Sequence, residues 1–402
     1  MTRSLPPIRS TLTPRVADLV GGSAFAVERG RLEALFAHAY QAAEARLVPT
    51  GRSGMRLLLH ALAAPGRGRV ILPAYADTSL PETVLSLGLQ PVPCDVRASD
   101  GTLDPVALDR LLGRDVLAVV ALHLFGHPSD LKAITARAAP LGVAVIEDCA
   151  HRPMPPVASR EHVAGGFTSL GAFKMVDCGG GGVVWATDPA CAERMRTAAG
   201  DGHVITAGTA ASRLLGAAAM QVITAPLVYG PVGHRLFSSV AEDRGVLAFY
   251  KRYVRPVLKS GVDAEDGGLP STALIRSGLR QVAQLPSRIA ERQRLAARLR
   301  EGAPPGLWLT PSDAAASSES SQVALFRDRS AAIARLVGEG VGALPALMGY
   351  WPEQKDAETV AARLDREAVQ IPWYDGLREK DVDLLRAAVL RAAEQDRAAV
   401  TA

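Results

Sequence analysis

Lys174 is the residue whose chemistry is hardest to replace. The 402-residue chain holds 45 lysines and arginines, yet only six are lysines, at positions 132, 174, 251, 259, 355 and 380. An arginine cannot form an imine; a lysine amine can, once its surroundings take its proton. Lys174 follows Ser169-Leu170-Gly171-Ala172-Phe173 and precedes Gly179-Gly180-Gly181-Gly182. Four glycines leave one wall bare of side chains, so backbone can approach a flat ligand closely. The plainer reading is a snorkelling lysine whose amine reaches water.

Two further segments carry candidate groups. Glu147-Asp148-Cys149-Ala150-His151 directly follows the apolar run Val143-Ala144-Val145-Ile146. A carboxylate at a strand end serves either a ligand or a local cap. Thr50-Gly51-Arg52-Ser53 reads as a loop entering a helix. Its amides can cradle a phosphate, or the segment is only a helix cap. Taken together, the three segments offer a phosphate loop, a carboxylate for a pyridinium nitrogen and a lysine for a Schiff base. Those are the parts that hold pyridoxal phosphate.

These groups need a frame. The pattern predicts strands at 69–73, 90–96, 116–122, 143–148, 167–172 and 182–186. It predicts helices at 31–46, 55–62, 81–87, 104–112 and 129–141, the last capped by Ser129. Val116 to Leu122 is apolar throughout, as in a strand buried on both faces. Strands alternating with helices imply an α/β fold with a mostly parallel sheet. In such sheets ligands bind at the carboxyl ends of the strands. Leu274 to Leu299 reads as a long helix broken or kinked at Pro286. A strand follows at 322–327, with helices at 329–338 and 381–395. Ala303 to Pro311 turns the chain, and Asp313 to Ser321 is a polar loop. The division expected is an arm and helix (1–49), a large domain (50–265) with an unusual insert at about 200–265, and a smaller C-terminal α+β domain (266–402).

Composition excludes several classes. Net charge is only +4 and aromatics are 5%, with no basic face interleaved with aromatic rings, so a nucleic-acid partner is not expected. Cys94, Cys149, Cys178 and Cys191 form no metal-ligand spacing, so no metal is expected, and the reading is of a cytoplasmic chain. Met1 to Pro14 holds arginines and prolines but no apolar run, so a secretory signal is not expected there. Leu214 to His234 lacks Asp, Glu, Lys and Arg but contains prolines and glycines. It reads as a buried helix ending near Pro226 rather than as a membrane span.

From about residue 50 to 190 the chain resembles the DegT/DnrJ/StrS family of pyridoxal-phosphate-dependent sugar aminotransferases, of fold type I. Five motifs occur in order. Thr50-Gly51-Arg52-Ser53 is similar to the family's phosphate loop, and Val70-Ile71-Leu72-Pro73-Ala74-Tyr75 to a strand end. His123-Leu124-Phe125-Gly126-His127-Pro128-Ser129-Asp130 is similar to its HLYGxPxD, and Val145-Ile146-Glu147-Asp148-Cys149-Ala150-His151 to its VIEDAAH. Ser169, Lys174 and Gly181-Gly182 repeat its SFxxxKxxxxGEGG spacing. The resemblance implies Lys174 as Schiff-base lysine and proton shuttle, Asp148 at the pyridine nitrogen and His151 beside the ring. It implies Ser169 and the amides of Gly51, Arg52 and Ser53 at the phosphate. It also implies a homodimer, a small-molecule amino donor such as glutamate, and a keto sugar acceptor, usually nucleotide-linked.

Three departures mark this chain. Asp77 stands where the family has a ring-stacking aromatic, with Tyr75 the nearby substitute; Gly180 stands where it has glutamate; and no Asn-x-Arg precedes the long helix near Leu269-Pro270-Ser271. Three readings follow: an aminotransferase, a lyase or dehydratase of the same fold, and a binding protein without catalysis. Arg276, Arg280 and Arg327 are candidate anchors for an anionic substrate group, or ordinary surface charges.

Overall fold

A computed structural model describes residues 4–7, 9–12, 15–20, 22–154, 162–200, 202–225, 228–230, 268–352 and 358–401. The N-terminal half begins with α1 (Val16–Val20), α2 (Phe25–Tyr40), β1 (Glu44–Val48), α3 (Gly51–Leu62), β2 (Arg69–Pro73), β3 (Tyr75–Ala76), α4 (Ser79–Ser86) and β4 (Gln90–Cys94). It continues with α5 (Pro105–Leu108), β5 (Val116–Leu122), α6 (Leu131–Ala138), β6 (Ala144–Asp148), β7 (Val163–Ser169), β8 (Gly182–Ala186), α7 (Pro189–Ala198) and α8 (Ala207–Ile223). The rest comprises α9 (Thr272–Arg300), β9 (Gln322–Leu325), α10 (Arg329–Gly338), β10 (Leu344–Pro345), β11 (Gly349–Tyr350), α11 (Val360–Glu367), β12 (Ala368–Ile371) and α12 (Glu379–Thr401).

Among the described residues the main sheet has seven strands in the order β1-β8-β7-β6-β5-β2-β4. The run from β4 to β7 is parallel, while β8 pairs antiparallel with both β7 and β1. Every residue of β5 is buried, because helices cover both faces of a parallel sheet. A second, antiparallel sheet, β10-β12-β9, packs against α10 and α12 through its own core around Phe326, Leu336 and Leu385. The two parts are stitched together by β11, which pairs with β3 (Tyr350 opposite Tyr75), and by Trp351 Nε1 donating to the Pro73 carbonyl at 2.7 Å.

The α/β frame and the strands at 69–73, 116–122 and 182–186 lie where the sequence puts them. Other expectations need correction. The helix expected over 31–46 runs from Phe25 to Tyr40, and Gln41, at φ 50°, ends it in the left-handed region. Residues 44–48 instead form edge strand β1, because β8 offers an unpaired side. Asp130, not Ser129, caps α6, its carboxylate accepting from Ala133 N, while Ser129 Oγ donates to the Leu122 carbonyl. Helix α9 continues through Pro286 without a break. Helix α8 is mostly exposed rather than buried, with Leu215 71% exposed and Val222 61%. No helix among the described residues is long and apolar enough to cross a membrane. The domain cut near residue 265 lies outside the described residues.

One close approach sets the site's geometry. Gly182 opens β8 where the start of α3 crosses the ends of β7 and β8. A Cβ at Gly182 would lie 2.7 Å from Gly51 N, the Thr168 carbonyl oxygen and the Thr50 carbonyl carbon. Backbone on all sides cannot yield as a flexible side chain would. We expect Gly182→Ala to cost about 1–3 kcal/mol, as overpacked sites do. Gly68→Ala, where nothing lies within 4 Å of the added methyl, should leave the melting temperature unchanged. Thermal melts of the two variants check this.

Candidate active site

Asp148, His151, Ser169 and Lys174 lie on or just after the C-terminal ends of β6 and β7, and Gly51 packs against Ser169. Strand β6 ends in Asp148, which is buried, with Oδ1 accepting from Ala150 N at 2.9 Å. The neighbouring β7 ends in Ser169, and the chain then loops out and back through 170–181. Leu170 N donates to the Gly181 carbonyl at 2.9 Å and Cys178 N to the Leu170 carbonyl at 2.8 Å. These bonds pinch the loop at its base and leave Lys174 near its tip, beside Phe173 at φ 66°. Thr50 caps α3, its hydroxyl oxygen accepting from Ser53 N at 3.0 Å and lying 2.8 Å from Ser53 Oγ. A Cβ on Gly51 would sit 3.3 Å from Ser169 Cβ. Gly51 and Ser169 therefore meet at a helix start, where amides and helix dipole favour an anion, while Ser53 sits in the same first turn and also lines the cavity between α3 and α4.

The electrostatics follow from burial. Burial pushes the Asp148 carboxyl up to about 6, although the Ala150 N–H and the Lys174 charge pull it down. Burial lowers the Lys174 amine, against the pull of Asp148 and Asp77. His151 is driven well below its usual range by burial, and by the charges of Lys174 and His127. Its Nδ1 accepts from Phe125 N at 3.1 Å, so in the neutral ring the proton sits on Nε2.

His151 is also held from the C-terminal half. Its ring stacks on Phe125, with centroids 6.2 Å apart and planes 13° apart. Ser318 Oγ donates to the His151 carbonyl at 2.8 Å, and Arg152 Nε donates to the Ala316 carbonyl at 2.7 Å. The polar segment 313–321 is thus partly buried, with Ser317 and Ser318 each 1% exposed, and it abuts the site. Sequence reasoning did not single out Phe125 as a site neighbour, whereas the loop from Ser318 to Ser321 is one it offers for substrate specificity.

Tyr75 does not join this group. Its ring is fully buried in the core, and the charges it feels are those of Asp365 and Arg329. The side chain of Arg52 lines a cavity of about 610 Å³ between α3 and α4, with Arg56 and His60, while its amide stays in the first turn. Asp77 is exposed at the start of α4, with Oδ1 accepting from Ser79 N, and its charge reaches both Asp148 and Lys174. At Gly180, a Cβ would fall 2.5 Å from Arg213 Nη1, so the Arg213 guanidinium takes the space of a side chain there. Arg276 and Arg280 bind Glu28 and Asp18 rather than facing the site. Behind Asp148, His123, Glu147 and Cys149 bring three possible metal ligands within 4.8 Å of one another, a cluster the cysteine spacing did not show. His123 Nε2 lies 3.0 Å from Glu147 Oε2, and Cys149 Sγ donates to the same oxygen, so hydrogen bonds account for the grouping.

The donors present are a primary amine, a carboxylate whose charge it feels, and a helix start with serine hydroxyls nearby. That set suits a ligand with a carbonyl, a basic ring nitrogen and a phosphate. Asp177, below Lys174, is buried, and burial pushes its carboxyl up to about 7. The unfolded group titrates near 4, so between about pH 4 and 7 the unfolded chain carries fewer protons and stability falls as pH rises. Asp177→Asn should remove up to about 1.4 kcal/mol of that loss per pH unit. His127 and His151 slope the other way in both proteins, so the difference between the two melting profiles over pH 4–8 isolates Asp177.

Comparisons with known proteins find similarity in sequence and in fold. Residues 25–222 match the model of the DegT/DnrJ/EryC1/StrS aminotransferase family. The erythromycin biosynthesis sensory transduction protein EryC1 of Saccharopolyspora erythraea is 33% identical over 175 residues, which are 42% of this chain and 47% of that protein. The dTDP-3-amino-3,4,6-trideoxy-alpha-D-glucose transaminase of Streptomyces venezuelae is 30% identical over 168 residues, 41% of this chain and 44% of that protein. The chain thus aligns with less than half the length of these relatives. The crystal structure of DesI, solved in the presence of its TDP-sugar product, shares the fold over 99% of this chain and 96% of that one, with a TM-score of 0.66 at 19% identity. The segment that carries Lys174, Asp148 and the first turn of α3 is thus similar to the DegT/DnrJ/EryC1/StrS aminotransferase family over about half of this chain.

Proposed function

We propose that this chain is a pyridoxal-phosphate-dependent aminotransferase that moves an amino group, with glutamate as donor, onto a keto sugar carried on a nucleotide. The observation that carries this reading is that half-buried Lys174 and buried Asp148 lie close enough for each to feel the other's charge, on the loop after β7 and at the end of β6, beside the start of α3. The nucleotide-linked acceptor rests on the dTDP-sugar transaminase among the relatives. A homodimer in a reducing cytoplasm completes the reading, in keeping with four buried free thiols.

Pyridoxal phosphate, when bound, supplies an aldehyde that condenses with primary amines and a ring that accepts an electron pair. The protein's part is to position and to move protons. Ser169 and Ser53 hydroxyls and the amides of Gly51, Arg52 and Ser53 hold the phosphate. Asp148 would hold a proton on the ring nitrogen, its own carboxylate being disfavoured by burial without a cation beside it. Lys174 Nζ, whose pKa burial lowers, would be the nucleophile toward the aldehyde and the group that carries protons there. Neutral His151 donates from Nε2 and orients the ring.

Asp77 favours a second reading. A carboxylate whose charge reaches Lys174 is a further acid–base group, as a lyase or dehydratase of this fold would use. Products separate the two: ammonia or water released without conversion of the cofactor to its amine form favours the second.

The test is absorbance of the purified protein with pyridoxal phosphate, before and after glutamate. Wild type should show a visible imine band that glutamate bleaches. Lys174→Ala should show no such band and lose turnover by at least about 10³-fold. Asp148→Asn should keep the band and lose about 10²–10⁴-fold, as removal of a positioned proton-holding group does. A Lys174→Ala protein with normal turnover would falsify the assignment.

A further inference from the structure

The described part of the N-terminal arm, residues 4–7 and 9–12, touches three separate regions. Leu5 N donates to the Gly340 carbonyl at 2.8 Å and Gly342 N to the Leu5 carbonyl at 2.9 Å, which fixes the arm beside α10. Gly342 leaves no room for a side chain, since a Cβ there would lie 2.6 Å from Pro7 N. The Arg9 guanidinium lies 5.7 Å over the Tyr374 ring. Farther on, Leu12 is buried against Gly179 and Leu274, and its carbonyl accepts from Gln221 Nε2 on α8 at 2.9 Å.

Between these anchors sits Thr11. Its Oγ1 lies 2.9 Å from the Lys174 carbonyl oxygen and 3.2 Å from Asp177 Oδ2. One hydroxyl proton cannot serve two acceptors fully. Both contacts are satisfied together when the Asp177 carboxyl carries a proton and donates it to Thr11, which donates onward to the Lys174 carbonyl. Asp177 in turn fixes the loop on its other side, with Oδ1 accepting from Gly179 N at 2.7 Å. Its backbone exchanges two bonds with the Gln281 amide on α9, at 3.0 and 2.8 Å.

We propose that the N-terminal arm is a strap across the outside of the 170–181 loop, and that Thr11 is a positioning residue that sets Lys174 through its backbone carbonyl. The strap rests on the cofactor reading only for what Lys174 then does. The base of the loop is held by the bonds at Leu170, Cys178 and Gly181, whereas Thr11 is the side chain that grips the Lys174 peptide from another part of the chain. The anchors at Leu5 and Arg9 make the placement of Thr11 depend on the C-terminal half. The arm thereby links the sheet that holds Asp148 to the helices after Thr272.

The experiment compares full-length wild type, Thr11→Val and Thr11→Ser. Valine keeps the shape and removes the hydroxyl; serine keeps the hydroxyl. Hydrogen exchange of the 174–179 amides, measured without cofactor, should be at least about tenfold faster in Thr11→Val and near wild type in Thr11→Ser, with melting temperatures alike. A tenfold change corresponds to the loss of about one hydrogen bond. With pyridoxal phosphate as the probe, Thr11→Val should bind it at least about tenfold more weakly, and the pH midpoint of its imine band should shift, serine restoring both. Exchange that is unchanged in Thr11→Val, or equally fast in Thr11→Ser, overturns the strap. A wild-type protein that takes up no pyridoxal phosphate overturns the cofactor reading alone, because the exchange result stands without it.

Discussion

A primary amine and a carboxylate share one desolvated edge of the sheet, and the structure around them is organised by that pairing. Burial disfavours both charges, so Asp148 sits far above the usual carboxylate range and Lys174 below the usual amine range. Each offsets part of the other's desolvation. Such a pair persists only if its frame is rigid, and the frame is backbone on backbone. Gly182 lets α3 lie directly on β7 and β8, which brings an anion-seeking helix start to the same edge.

Much of this edge is legible in the sequence because each signal is local. The scarcity of lysine singles out Lys174, and Asp148 is separated by Glu147 alone from the apolar run Val143 to Ile146, which marks a buried strand. Thr50 to Ser53 carries a cap signature, and a cap and an anion site are made of the same N–H groups. Resemblance added order and role to these local signals. Tyr75 shows where locality fails. Side chains alternate along a strand, so a tyrosine near the edge points either at the ligand or into the core. Pairing of β3 with β11 chooses the core, and that pairing joins residues 275 positions apart.

Long-range hydrogen bonds account for the rest. Thr11 meets Lys174 across 163 positions and Ser318 meets His151 across 167. Nothing in a serine-rich loop or a short arm announces a partner so distant. Composition also misjudged α8, whose apolar residues suggested a buried helix. A helix is buried by what packs on it, not by its own content. Arg213 and Gln221 show the side of α8 that is engaged, toward Gly180 and Leu12.

The loop beneath His151 shows why residues outside the family segment belong to the site. Its position is set by charge rather than by apolar packing. Glu319 is buried in the left-handed region at φ 46° and pairs with Arg300 at 2.7 Å. Arg292, also buried, donates to the carbonyls of Glu319 and Ser320 and to Asp375, while Trp373 Nε1 donates to the Glu319 carbonyl. Buried charges are stable only when their partners are complete, so this network permits one arrangement of the loop and penalises its neighbours. That arrangement places Ser318 on the His151 carbonyl. The ring beside Lys174 is thus oriented from residues 292 to 375, a region that a match over 25–222 does not reach.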